Sequence, residues 1–78
     1  MKVQILGKGC PKCRHLEKNV RDAVGELDAE VDIEKITDPD RIMNMGVMIT
    51  PGLLVDGRIL SMGKVPTKRQ IMDLLRKG

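Results

Sequence analysis

The chain has 78 residues, 41% hydrophobic and 32% charged, with a net charge of +3. A chain of this length buries only about 60% of the surface its unfolded form exposes, so one thin-cored domain spanning residues 1–78 is expected and a second is excluded. There is no Phe, Tyr or Trp, and the fourteen basic residues are scattered among eleven acids. The stacking platforms and continuous basic stripe of nucleic-acid binders are therefore missing, and no nucleic-acid partner is expected. No run approaches the roughly 20 apolar residues of a membrane span. Met1-Lys2-Val3-Gln4-Ile5-Leu6 lacks the long apolar stretch of a signal peptide. A cytoplasmic protein with no membrane partner is the expectation.

The first element, Lys2 to Leu6, is a β-branched and aliphatic run ended by Gly7 and predicts a buried strand. Gly7-Lys8-Gly9-Cys10-Pro11 then leads into a helix. Pro11 suits its first position, which makes Cys10 the N-cap and places Cys13 in the first turn. Leu16, Val20, Ala23, Val24 and Leu27 follow at helical spacing and form its core face. Glu30 to Ile36 alternates polar with apolar and predicts a strand. Asp38 and Pro39 read as the N-cap and first residue of a short helix reaching about Met45, with Gly46 ending it. Gly52–Val55 and Arg58–Ser61 flank Asp56-Gly57, a strong two-residue hairpin signal. Thr67 and Gln70 can form a capping box for a last helix carrying Ile71, Met72, Leu74 and Leu75. The order β-α-β-α-β-β-α predicts an α/β fold. Its first two strands pair in parallel, its last two form a hairpin, and helices cover both faces of a four-stranded mixed sheet.

Cys10-Pro11-Lys12-Cys13 is the chemically informative motif. A bond closing so short a loop stabilises a fold by about 2 kcal/mol at best before ring strain, so stapling is a poor explanation. At a helix N-cap, by contrast, the Cys10 sulfur meets unsatisfied backbone N–H groups and the positive end of the helix dipole. Both favour thiolate, the nucleophile of disulfide exchange, and Lys8, Lys12, Arg14 and His15 would add to them if close. Cys10 is thus the expected attacking thiol. Cys13, one turn along and tucked beneath it, is the expected resolving thiol.

Taken together, Gly7-Lys8-Gly9-Cys10-Pro11-Lys12-Cys13, Thr50-Pro51-Gly52 and Val55-Asp56-Gly57 resemble, at similar separations over essentially the whole chain, a small archaeal and bacterial thioredoxin-like family. Its members are known as redox-active disulfide proteins and are related to thioredoxin and glutaredoxin. The resemblance implies a thioredoxin-like fold with a cis Thr50–Pro51 bond beside the cysteines. It also implies that the Thr50 backbone pairs with an extended substrate segment, that Pro51 shapes the groove, and that Gly9, Pro11 and Lys12 neighbour the active site. The implied activity is that of a thiol–disulfide oxidoreductase without a bound cofactor. It would act on protein disulfides and take electrons from a thioredoxin-reductase-like or other dithiol donor. Two departures stand out. Gly9 occupies the place of thioredoxin's Trp, and no acid in the first strand matches its buried proton acceptor.

The competing reading of the cysteine pair is a Cu(I)-binding metallochaperone. Such proteins have β-α-β-β-α-β order, whereas here the Asp38–Met45 helix precedes the hairpin and the chain ends on a helix. Structural zinc would have only His15 as a third ligand and no fourth, so no metal site is expected, and His15 reads as a helix-surface residue. Met43, Met45 and Met48 read as adaptable core filler in a chain without aromatics. Gly7 and Gly9 read as sources of backbone flexibility at a tight turn. Gly63, Lys64 and Pro66 read as a loop. Leu53, Met62 and their neighbours are expected to form an apolar rim around the cysteines.

Overall fold

A computed structural model describes residues 1–28 and 30–77. Its elements follow the expected order: β1 (Lys2–Leu6), α1 (Pro11–Leu27), β2 (Asp32–Ile36), α2 (Pro39–Asn44), β3 (Gly52–Val55), β4 (Arg58–Met62) and α3 (Lys68–Lys77). The strands lie in the order β2-β1-β3-β4, with β1 parallel to β2 and antiparallel to β3, and β3 antiparallel to β4. The fold is α/β, a four-stranded mixed sheet with three helices, as expected.

Two differences from the expected boundaries have simple causes. β2 starts at Asp32 rather than Glu30, because Lys2 pairs with Asp32 and β1 supplies no ladder beyond that point. β4 runs one residue further than expected, to Met62, and takes up an extra residue on the way. Leu54 faces Ile59 while Leu53 faces Ser61, so Leu60 is bulged. Between β3 and β4, Asp56 and Gly57 have φ of 51° and 84°. Positive values at both central positions mark the type I′ turn that matches the strand twist.

Pleating divides the sheet's side chains into two cores. Val3, Ile5, Leu53 and Val55 pack with Leu16, Val20 and Ala23 of α1 and with Ile71 and Leu75 of α3. On the opposite face Leu6, Ile36 and Leu54 pack with Ile42 of α2 and with Val47. The helix starts hold as their caps dictate. Asp38 Oδ1 accepts from the Asp40 N–H at 3.0 Å. The Thr67 N–H donates to Gln70 Oε1 at 2.9 Å and the Gln70 N–H to Thr67 Oγ1 at 3.2 Å, a reciprocal capping box. Asn19 Nδ2 donates to the Pro66 carbonyl at 2.9 Å and ties α1 to the start of α3.

Candidate active site

The site lies where β1 hands over to α1. The Gly7 N–H continues the parallel ladder by donating to the Ile36 carbonyl at 2.9 Å. Gly9 turns the chain with φ of 80°, a left-handed conformation suited to glycine. Cys10 is extended (φ −66°, ψ 164°) and caps α1, with Pro11 next in the chain. Its carbonyl accepts the first helical bond, from the Arg14 N–H at 3.0 Å. Its Sγ accepts from the Cys13 N–H at 3.3 Å.

This geometry separates the two thiols, both of which are free. Cys10 is half-buried, whereas Cys13 is 5% exposed. Hydrogen bonding from the Cys13 thiol, then from backbone N–H groups of Cys13 and Lys12, holds the Cys10 pKa below the usual thiol value. Burial, followed by donation of its own S–H to Cys10, raises that of Cys13. The outer sulfur therefore gives up its proton more readily than the inner one. Pro11, Lys12, Arg14 and His15 are exposed on the first turns of α1.

Gly7 is a site residue whose reason differs from the one expected. Its need is space rather than flexibility. A Cβ at this position would collide with Cys13 Sγ, come within 3.2 Å of Cys13 Cβ, and lie 3.9 Å from Pro51 Cα. The missing side chain lets Cys13 pack beneath Cys10 and brings Pro51 alongside. The Thr50–Pro51 peptide bond is cis. Pro51 is buried, and its carbonyl accepts from the Gly63 N–H at 2.8 Å, so the loop before α3 also braces the site. Thr50 is exposed.

A groove of about 440 Å³ opens beside the Cys10 sulfur. Cys10, Lys8 and Thr50 share its lining with Ile42, Met43, Val47 and Met48. Met43 is 67% exposed and Met48 80%, which corrects the reading of both as core filler; of the three, Met45 packs on a core. The expected rim also changes composition. Leu53 is wholly buried because it faces α1 and α3, while Met62 is partly exposed and its Sδ accepts from the Met48 N–H at 3.3 Å. Ile49, which carried no functional signal, is exposed next to Met48. Methionine at a groove mouth has the same sequence signature as methionine in a core, since both rest on apolarity alone. Among the described residues no three His, Cys, Asp or Glu side chains come together as metal ligands would.

A family model described as a thioredoxin domain matches residues 1–76. The chain belongs to the thioredoxin family. Proteins named thioredoxin from two archaea are similar over nearly their full lengths. That of Methanothermobacter thermautotrophicus is 47% identical over 75 residues, which cover 96% of this chain and 97% of the relative. One from Methanocaldococcus jannaschii is 39% identical over 74 residues, covering 95% and 85%. A second protein of that name from the same organism is 27% identical over 71 residues. This thioredoxin-family chain is a thiol–disulfide oxidoreductase with a redox-active cysteine pair. No helix among its described residues is long and apolar enough to cross a membrane.

Proposed function

We propose that this chain reduces protein disulfides through a division of labour between Cys10 and Cys13, in a single redox domain. Cys10 attacks one substrate sulfur as thiolate, forming a mixed disulfide and expelling the other substrate sulfur. Cys13 then attacks Cys10 Sγ, which releases the second substrate sulfur and leaves a Cys10–Cys13 disulfide. A dithiol donor, of the kind a thioredoxin-reductase-like partner provides, returns the pair to its reduced state. Thr50 and Pro51 border the approach to Cys10, with the Thr50 backbone pairing with an extended substrate segment. Gly9, Pro11 and Lys12 shape the turn that presents the sulfur. A cytoplasmic location fits this chemistry, because a reducing compartment keeps the donor charged.

The observation that carries this reading is the asymmetry of the two thiols. The accessible sulfur accepts from the Cys13 N–H and its pKa is lowered, whereas burial raises that of the inner sulfur. A copper carrier would gain nothing from holding a proton between its two ligands, since both must be deprotonated to bind metal. Single-cysteine variants test the assignment. Cys13→Ser should accumulate a covalent complex with a disulfide substrate such as insulin, visible by mass spectrometry, and Cys10→Ser should form none. Trapping through Cys13 in the Cys10→Ser protein would reverse the roles.

A further inference from the structure

Resolution of the mixed disulfide leaves one proton to be placed. Cys10 starts as a thiolate, but Cys13 is buried and must lose its proton as it attacks. Among the described residues no polar or charged residue is buried, and β1 beneath the pair contains no acid. The acceptor therefore has to reach Cys13 from the margin of the sheet.

A small cavity of about 20 Å³ lies against Cys13, walled by Ile5, Gly7, Gly9, Arg14, Glu17 and Lys35. Its size suits a single water with polar groups to hold it. Glu17 is its only carboxylate. It stands four residues beyond Cys13 on α1, one turn along the same face. Lys35 reaches the cavity from β2, where its backbone pairs with Ile5. Glu17 Oε1 lies 3.1 Å from Lys35 Nζ, and Oε2 lies 3.0 Å from Arg21 Nη2. The Glu17 side chain is 19% exposed, so it touches the cavity on one side and solvent on the other.

We propose that Glu17 accepts the Cys13 proton, through one water in this cavity, during attack on the mixed disulfide. The inference rests on the roles assigned above to the two cysteines. The Cys13 proton passes to the water as the water's own proton passes to the carboxylate. The Cys13 sulfur bonds to Cys10 Sγ, and the bond from Cys10 to the substrate sulfur breaks. Its electron pair leaves on the substrate sulfur, which takes a proton from solvent. The dithiol is oxidised by two electrons and the substrate disulfide is reduced by two.

The charged groups around Glu17 come from two elements. α1 contributes Arg14 and Arg21, β2 contributes Lys35, and β1 contributes only apolar Ile5. α3 meets α1 through the Lys68–Glu26 pair, farther along the helix. Hydrogen bonds from Lys35 and Arg21 lower the Glu17 pKa, so the carboxylate is empty of its proton whenever Cys13 needs it. The same lowering makes it a relay that passes the proton on to solvent.

Rapid-quench mass spectrometry of a single turnover with a peptide disulfide separates the two steps. Glu17→Gln should leave mixed-disulfide formation within about twofold of wild type and slow its resolution by about tenfold or more, the lower part of the general-base range. Its resolution rate should climb with pH as hydroxide takes over, while Glu17→Asp keeps a pH-independent rate near neutrality. Lys35→Gln retains the carboxylate but raises its proton affinity, so the acid limb of the profile should move to higher pH. Lys35 is about half exposed and Glu17 keeps one side in solvent, and Gln preserves the shape of Glu, so both variants should stay folded, which circular dichroism checks. Wild-type resolution and pH dependence in Glu17→Gln, or an unmoved acid limb in Lys35→Gln, would overturn the proposal. Failure of wild-type Cys10 to form any mixed disulfide would instead overturn the reading beneath it.

Discussion

The two faces of the sheet are built for different tasks. One carries α1 and α3 over nine buried residues, from Val3 to Leu75. The other carries only the six-residue α2 over a smaller core, and its connection to β3 leaves Met48 and Ile49 in solvent. Cohesion is concentrated on the first face and adaptable contact surface on the second. The cysteine pair sits at the seam. Cys13 joins the buried side of α1, while Cys10 opens onto the groove beneath α2. The Cys10 sulfur thus has a packed core behind it and an open, largely apolar groove in front.

Substitutions on each face sharpen this contrast. Leu16→Ala, in the larger core, should cost about 2–5 kcal/mol in denaturant unfolding, the range for truncating a buried leucine. The folded fraction should still reduce a small disulfide reagent. Gly7→Ala probes the seam. Its methyl group has to displace the Cys13 side chain, with an expected cost of about 1–3 kcal/mol. Unlike Leu16→Ala, it should also alter thiol reactivity, which alkylation kinetics would report. A Gly7→Ala protein of unchanged stability and reactivity would show that the close approach to Cys13 has no consequence.

The contact face calls for the opposite pattern. Met43→Gln with Met48→Gln should change stability by less than about 0.5 kcal/mol per site, as exposed positions do. Insulin reduction should nevertheless slow by about fivefold through lost apolar contact, with small-disulfide turnover unaffected. Equal losses on both substrates would break the division between faces. The smallest effect is expected at the seam's electrostatics. Alkylation of Cys10 should rise with pH as the thiolate forms, with a midpoint below the usual thiol range, and fall away at lower pH. Cys13→Ala removes the first cause of that lowering, so the midpoint should move upward.

Most of the cohesive face was legible in the sequence. Helical spacing picked out Leu16, Val20 and Ala23, and the Thr67–Gln70 and Asp56-Gly57 signals depend on neighbours along the chain. The contact face was less legible. Met43 and Met48 advertise apolarity, but whether apolar residues are covered depends on how much of α2 overlies them. Leu53 is apolar and two residues from Pro51, yet the pleat turns it toward α1. Gly7 and Glu17 required knowledge of what lies across from them. Only the packing of α1 against β1 and β2 brings Cys13 to one and Lys35 to the other.

The strand order β2-β1-β3-β4 leaves two outer strands whose backbone another chain could extend. Neither offers a smooth template. β2 presents Asp32, Glu34 and Lys35 within five residues, and β4 begins at Arg58 and is interrupted by the Leu60 bulge. Charge and irregular spacing are two ordinary defences against strand-to-strand aggregation. Here the sheet's margins discourage such capture, and the exposed apolar surface lies elsewhere, in the groove beside Cys10 rather than along an open strand edge.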